Sequence, residues 1–173
     1  ASMGVSLTFN RAQDLKDQWM AMWPEMKCYF EMIAHATDTS ETGRFTVKQI
    51  GSDRLRGGGS YTSGANTLFQ GLASDGAKSA MWFLTKAMYS DPESPLFGVR
   101  CWAFIHDEFL FEGPEETSHL WAPVASDIMV SEMQKYTPSI PIKAEPALML
   151  RWHKDAEACY DGNKLIPWEP QGE

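Results

Sequence analysis

The sequence predicts an α+β fold, a small antiparallel sheet packed against several helices. Apolar residues recur at helical spacing over residues 8–36, 65–89 and 115–135. Two short apolar runs, Val99 to Ile105 and Phe109 to Glu112, flank the polar triplet His106-Asp107-Glu108 and read as strand, turn and strand. Pro92, Pro95, Gly113-Pro114, Pro138 and Pro141 stand where these segments end.

The first helical stretch carries Leu15, Trp19, Met22 and Trp23 on one side, with Thr8 or Asn10 as its cap. Pro24 belongs in a first turn and not in a helix interior, so the stretch divides into two helices with a bend at Trp23-Pro24. The second continues through Met26, Tyr29, Phe30 and Ile33. Residues 37–64 are rich in Asp, Thr, Ser and Gly. Within them Arg44 to Ile50 alternates as a strand, Gly51-Ser52-Asp53 turns it into a hairpin, and Gly57-Gly58-Gly59 reads as a flexible run. The helix over 65–89 presents Leu72, Ala73, Ala77, Ala80, Met81 and Leu84, and its small residues, Gly76 among them, admit a close neighbour. A last strand is expected over Ile142 to Trp152, followed by a partly loose polar tail. The organisation is thus a helical segment over 4–90 with a basic hairpin at 37–64, a hairpin, helix and closing strand over 91–153, and a tail over 154–173. Ala1-Ser2 before Met3 reads as a cloning remnant.

The 173 residues suffice for one domain or a piece of a larger one, and 43% hydrophobic content can fill a core. Seven Trp, nine Phe and ten Met either complete that core or cover a surface that docks on further protein. The net charge of -8 excludes a uniformly basic nucleic-acid binder, so any such contact is local. The cations do cluster at Arg44, Lys48, Arg54 and Arg56, and acids gather from Asp107 to Glu116. Cys28, Cys101 and Cys159 are far apart and odd in number, which suits a reducing compartment. With no signal peptide and no long apolar run, a cytoplasmic protein without a membrane partner is expected, in a cell or a virus-infected cell.

Carboxylates at the tip of a rigid hairpin suit a hard metal ion. Mg²⁺ takes few protein carboxylates, together with water and substrate phosphate. Two such ions can stabilise the attacking and leaving oxygens of a phosphoryl transfer. An acidic turn in solvent accounts for His106-Asp107-Glu108 equally well at this level. Asn66, Gln70 and Ser74 share a helix face of donors and acceptors that could read minor-groove edges without choosing sequence, or simply be solvated.

The two signals occur in order. Asn66-Thr67-Leu68-Phe69-Gln70-Gly71 with Asp75 resembles the family A DNA polymerase segment N-x-x-x-Q-G-x-x-x-D. Ile105-His106-Asp107-Glu108 and the apolar strand ending at Pro114 resemble that family's motif C. Arg11-Ala12-Gln13 and Trp23-Pro24-Glu25 resemble its helices after the fingers, and Pro141 to Glu145 with Arg151-Trp152 resemble the closing strand of its palm. The resemblance covers residues 4–153 and implies part of a polymerase palm. It implies Asp107 as a metal ligand and Glu108 beside it as the catalytic carboxylates, with His106 at the primer end. Asn66 and Gln70 would lie along the minor groove, and Arg54 or Arg56 on primer or template phosphates, although Gly57 to Ser60 departs from the family pattern. The implied partners are a DNA primer-template and a deoxynucleoside triphosphate. The implied cofactor is Mg²⁺ in a two-ion site. The second aspartate, from motif A, and the fingers helix are expected from another chain or segment, and the chain alone is expected to be inactive. Two rivals remain: a non-catalytic DNA-binding or structural subunit with the same fold, and an HD-type metal phosphohydrolase, which requires His106 and Asp107 on a helix.

Overall fold

The computed structural model describes residues 6–170, so Ala1-Ser2 and the last three residues of the expected tail lie outside the described residues. It contains four α-helices and three two-stranded antiparallel sheets, which makes it α+β as the sequence predicts. The chain divides into two units, one spanning Ala1–Gln49 and Asp53–Phe69, the other Ile50–Ser52 and Gln70–Glu173.

The first unit opens with α1 (Phe9–Met22) and α2 (Glu25–Asp38). Thr8 is the cap: its hydroxyl accepts the Arg11 N–H at 3.3 Å. The helices part at Trp23-Pro24, where proline has no N–H to continue the first one. β1 (Phe45–Lys48) and β2 (Leu55–Gly59) follow, paired Val47 to Arg56 and Phe45 to Gly59. The glycine run expected to be flexible is therefore strand, and it holds an irregularity in the register. α3 (Tyr61–Tyr89) begins four residues before the expected start. Its first turn is fixed by Ser60, whose N–H donates to the Ser63 hydroxyl at 2.9 Å and whose carbonyl receives the Gly64 N–H at 2.7 Å. Gly64 lets the hairpin lie on this turn, because a Cβ there would stand 2.2 Å from the Phe45 ring. Tyr29 reaches the same turn with its hydroxyl on the Ala65 carbonyl. Among the described residues of this unit Ile33 and Val47 are the buried apolar side chains, and α1 buries none.

The second unit contains the larger core. α3 contributes Ala80, Leu84 and Met88; of the expected stripe, Ala73 and Met81 are exposed. β3 (Arg100–Ile105) and β4 (Glu108–Glu112) form a hairpin that adds Phe109 and Leu110. A 3-10 turn (Glu115–Thr117) leads into α4 (Ser118–Gln134), which adds Trp121, Ala122 and Ala125. α3 and α4 approach closely at Gly76, where a Cβ would lie 2.1 Å from the Met133 sulfur and 3.3 Å from its Cα. Gly113 packs on Val99 and Trp121, and the Trp121 indole donates to the Pro114 carbonyl at 3.2 Å, which seats the end of β4 on α4.

The expected closing strand over Ile142 to Trp152 is not formed. Pro146 removes a ladder donor from that stretch and Pro141 another just before it, and Leu148 makes its one bridge, to Pro167. The tail supplies the third sheet instead, β5 (Cys159–Asp161) and β6 (Lys164–Ile166). Leu165 is 3% exposed in the core, and the Trp168 N–H donates to the Leu148 carbonyl at 2.7 Å. Among the described residues no helix is long and apolar enough to cross a membrane.

Candidate functional site

The β3–β4 hairpin pairs Ile105 with Glu108, which leaves His106 and Asp107 as a two-residue turn. His106 has φ +57°, a conformation that costs an L-residue energy and is common in hairpin turns only for Gly, Asn or Asp. The strands hold it there. Phe109 and Leu110 are buried, and Phe104 packs tilted against Phe109 with ring centres 4.5 Å apart and planes at 32°. The result is a hairpin anchored through β4, with β3 largely exposed, that carries an exposed polar tip. His106, Asp107 and Glu108 are all exposed, and none makes a side-chain hydrogen bond or ion pair among the described residues. This turn geometry removes the HD-type reading, which needed the pair on a helix.

Asp107 and Glu108 offer oxygen donors of the kind Mg²⁺ takes. Among the described residues no group of three or more His, Cys, Asp or Glu is placed to hold a metal ion. The two carboxylates thus fit as a contribution to a hard-metal site rather than as a complete one.

On α3, Asn66 and Gln70 stand one turn apart and both are exposed, while Ser74 is partly buried. Thr67, beside Asn66, is 5% exposed and ties two elements together: its hydroxyl donates to the Ser63 carbonyl at 2.6 Å and accepts from Arg56 Nη1 at 2.9 Å. Arg56 is thereby held on α3 by a neutral partner, the Thr67 hydroxyl. Arg54 is exposed on the same hairpin. Asn66, Arg54 and Arg56 belong to the first unit, and Gln70, His106, Asp107 and Glu108 to the second.

A scan against family models matches residues 2–154 to DNA polymerase family A. The chain belongs to this family. Over 156 residues this family A chain is 23% identical to DNA polymerase I of Helicobacter pylori (strain ATCC 700392 / 26695). That alignment covers 87% of the chain and 17% of the Helicobacter protein, so the chain spans about a sixth of its relative's length. No solved structure matches the chain.

Two carboxylates of this family A chain have structural partners that the sequence does not assign. Asp75 is 6% exposed and accepts from the Ser52 hydroxyl at 2.5 Å, which holds the turn residues Ile50–Ser52 on α3. Its place in N-x-x-x-Q-G-x-x-x-D was the available signal. Glu132, on α4, accepts from Ser79 at 2.7 Å and from Lys135 at 2.5 Å. Burial pushes its carboxyl up, and the bonds from Lys135 and Ser79 with the Lys135 charge outweigh that, so it sits below the usual value of 4.5. No local pattern marks Glu132, because its burial is created by α3 and α4 together.

Proposed function

We propose that the chain is the C-terminal part of a template-directed DNA polymerase, acting with a second segment or polypeptide that carries motif A and the fingers helix. The observation that carries this reading is the exposed Asp107 at the strained tip of a rigid hairpin, in a chain of this family. Asp107 would hold Mg²⁺ together with the missing aspartate, and Glu108 would add negative charge beside it. When bound, the two ions supply charge neutralisation for nucleotidyl transfer. His106 would contact the primer terminus. Asn66 and Gln70 would follow the minor-groove edge of the terminal base pairs, where purine N3 and pyrimidine O2 offer acceptors at every pair. Arg56, and Arg54 with it, would hold strand phosphates. The deoxynucleoside triphosphate needs cations from the fingers helix as well.

Primer extension tests this directly. The chain alone is expected to give no templated incorporation. Joined to a polypeptide that supplies a motif A aspartate and a fingers helix, it is expected to extend the primer. Asp107→Ala should then reduce the rate by about 100-fold or more, the loss expected when a metal ligand worth several kcal/mol is removed. Templated incorporation by the chain alone would overturn the need for a second half.

A further inference from the structure

The β1–β2 pairing is irregular at one place. Phe45 pairs with Gly59 and Val47 with Arg56, so Thr46 alone on β1 faces Gly57 and Gly58 on β2. Two residues against one is a β-bulge, which leaves one residue out of the ladder and re-aims its neighbours. Gly58 has φ +71°, which glycine adopts without strain. A Cβ at Gly58 would meet nothing within 4 Å, and one at Gly57 would meet only the Thr46 hydroxyl at 3.9 Å. The backbone here is therefore bare and open to close approach by another molecule.

Two guanidinium groups attend this bare stretch. Arg44 donates from Nη1 to the Gly58 carbonyl at 2.9 Å, so it is fastened to the bulge itself. Arg56 directly precedes Gly57 and is fastened to Thr67. Both side chains are exposed, and both anchoring partners are neutral, a carbonyl and a hydroxyl. Each fork is held in place by one N–H with its charge uncompensated by that partner. A guanidinium so held loses little freedom when it meets a phosphate, and its remaining donors match phosphate oxygens in pairs. Lys48 differs from them: it pairs with Asp53 at 2.8 Å.

We propose that the Gly57-Gly58 bulge, with Arg44 and Arg56, is a seat for a phosphodiester of a nucleic-acid backbone. Glycine lets the strand approach the sugar-phosphate chain closely, and the two arginines supply the charge. Contacts of this kind position a duplex without reading its sequence. The proposal rests on the polymerase reading above and adds to it a strand contact made by Arg44 and by bare backbone.

Fluorescence anisotropy of the whole chain with a labelled primer-template, measured over a salt series, tests it. Arg44→Gln should weaken binding by about tenfold at low salt. It should also lower the slope of log affinity against log salt by about 1. Gly57→Val, whose Cβ would meet only the Thr46 hydroxyl at 3.9 Å, should weaken binding with the slope kept, since it blocks approach without removing charge. Far-UV circular dichroism and urea midpoints matching the parent show that both variants are folded. Lys143→Gln removes a cation from the second unit and should leave binding unchanged. Arg44→Gln or Gly57→Val binding as tightly as Lys143→Gln, while Asn66→Ala binds more weakly, overturns the phosphate seat and leaves the polymerase reading standing. No variant differing from the parent overturns both.

Discussion

The two units differ in what holds them together. Among the described residues the second buries twelve apolar side chains, from Ala80 to Leu165, and the first buries two. Their charges differ as well. The first carries seven Lys or Arg against seven Asp or Glu, the second eight against sixteen. So the whole of the net charge of -8 resides in the unit with the carboxylate tip. The neutral unit is where Arg44 and Arg56 are presented. A polyanion approaching this chain meets repulsion from one unit and a local cationic surface on the other, which is how an acidic protein can still grip a nucleic acid. Among the described residues the unit with the exposed carboxylate tip has the packed core, and the unit that presents Arg44 and Arg56 has a small one. A catalytic carboxylate requires fixed geometry, and a backbone contact tolerates motion.

The sharpest way to break this comparison is through the cores. Trp121 is 7% exposed and braces both Gly113 and Pro114. Trp121→Ala should destabilise the second unit by about 3–5 kcal/mol, the usual cost of emptying an aromatic site in a packed interior. Leu15→Ala on α1, a helix with no buried residue, should change stability by no more than about 0.5 kcal/mol. Urea unfolding followed by far-UV circular dichroism measures both. Equal effects would mean that the first unit's exposed apolar face is covered and that the contrast drawn here is wrong.

The same contrast explains what could be read in advance. The break at Trp23-Pro24, the Thr8 cap and the strand-turn-strand around His106-Asp107 depend on local chemistry, and each is found where the sequence predicts it. The family was legible for a similar reason, since the residues that carry the resemblance, Asn66, Gln70 and Asp107 among them, follow one another in a continuous chain. Local reading failed where tertiary context decides. Ile142 to Trp152 has an apolar pattern, yet Pro146 and the preceding Pro141 leave it irregular, and the tail's Gly162-Asn163 turn makes the sheet instead. That turn is a hairpin signal between Tyr160 and Leu165 and could have been found. The strand character of Gly57-Gly58-Gly59 could not, because β1 and the first turn of α3 impose it.

A second, smaller effect lies in the acidic unit. Glu132 has a folded pKa below its unfolded value, so its contribution is present above the ordinary carboxylate range, near 4.5, and fades as the pH falls through the lowered value. Glu132→Gln should cost about 1.5–3 kcal/mol at neutral pH, the worth of hydrogen bonds made to a charged group. The cost should shrink as the parent's own carboxyl becomes protonated in acid. Thermal melts of parent and variant across that range would show the two curves converging. Curves that stay parallel would mean that Ser79 and Lys135 contribute nothing through the charge.

The smallest expected effect bears on the tip itself, and it pits two opposing costs against each other. At φ +57°, His106 carries a penalty of roughly 1–2 kcal/mol for a left-handed L-residue. His106→Gly removes that penalty and adds about 0.4–1 kcal/mol of unfolded-chain entropy. The balance favours the variant by roughly 0–1.6 kcal/mol. Its urea midpoint should therefore rise slightly. A midpoint that falls would mean that the imidazole itself holds the turn, by a contact with its neighbours. A midpoint that rises would mean that the sequence retains histidine at a cost in stability. A residue at positive φ, exposed and without a hydrogen-bonding partner among the described residues, would then have its use outside the fold. In the polymerase reading that use is the primer terminus. The more stable His106→Gly chain should then be the poorer one at primer extension once the second half of the site is supplied.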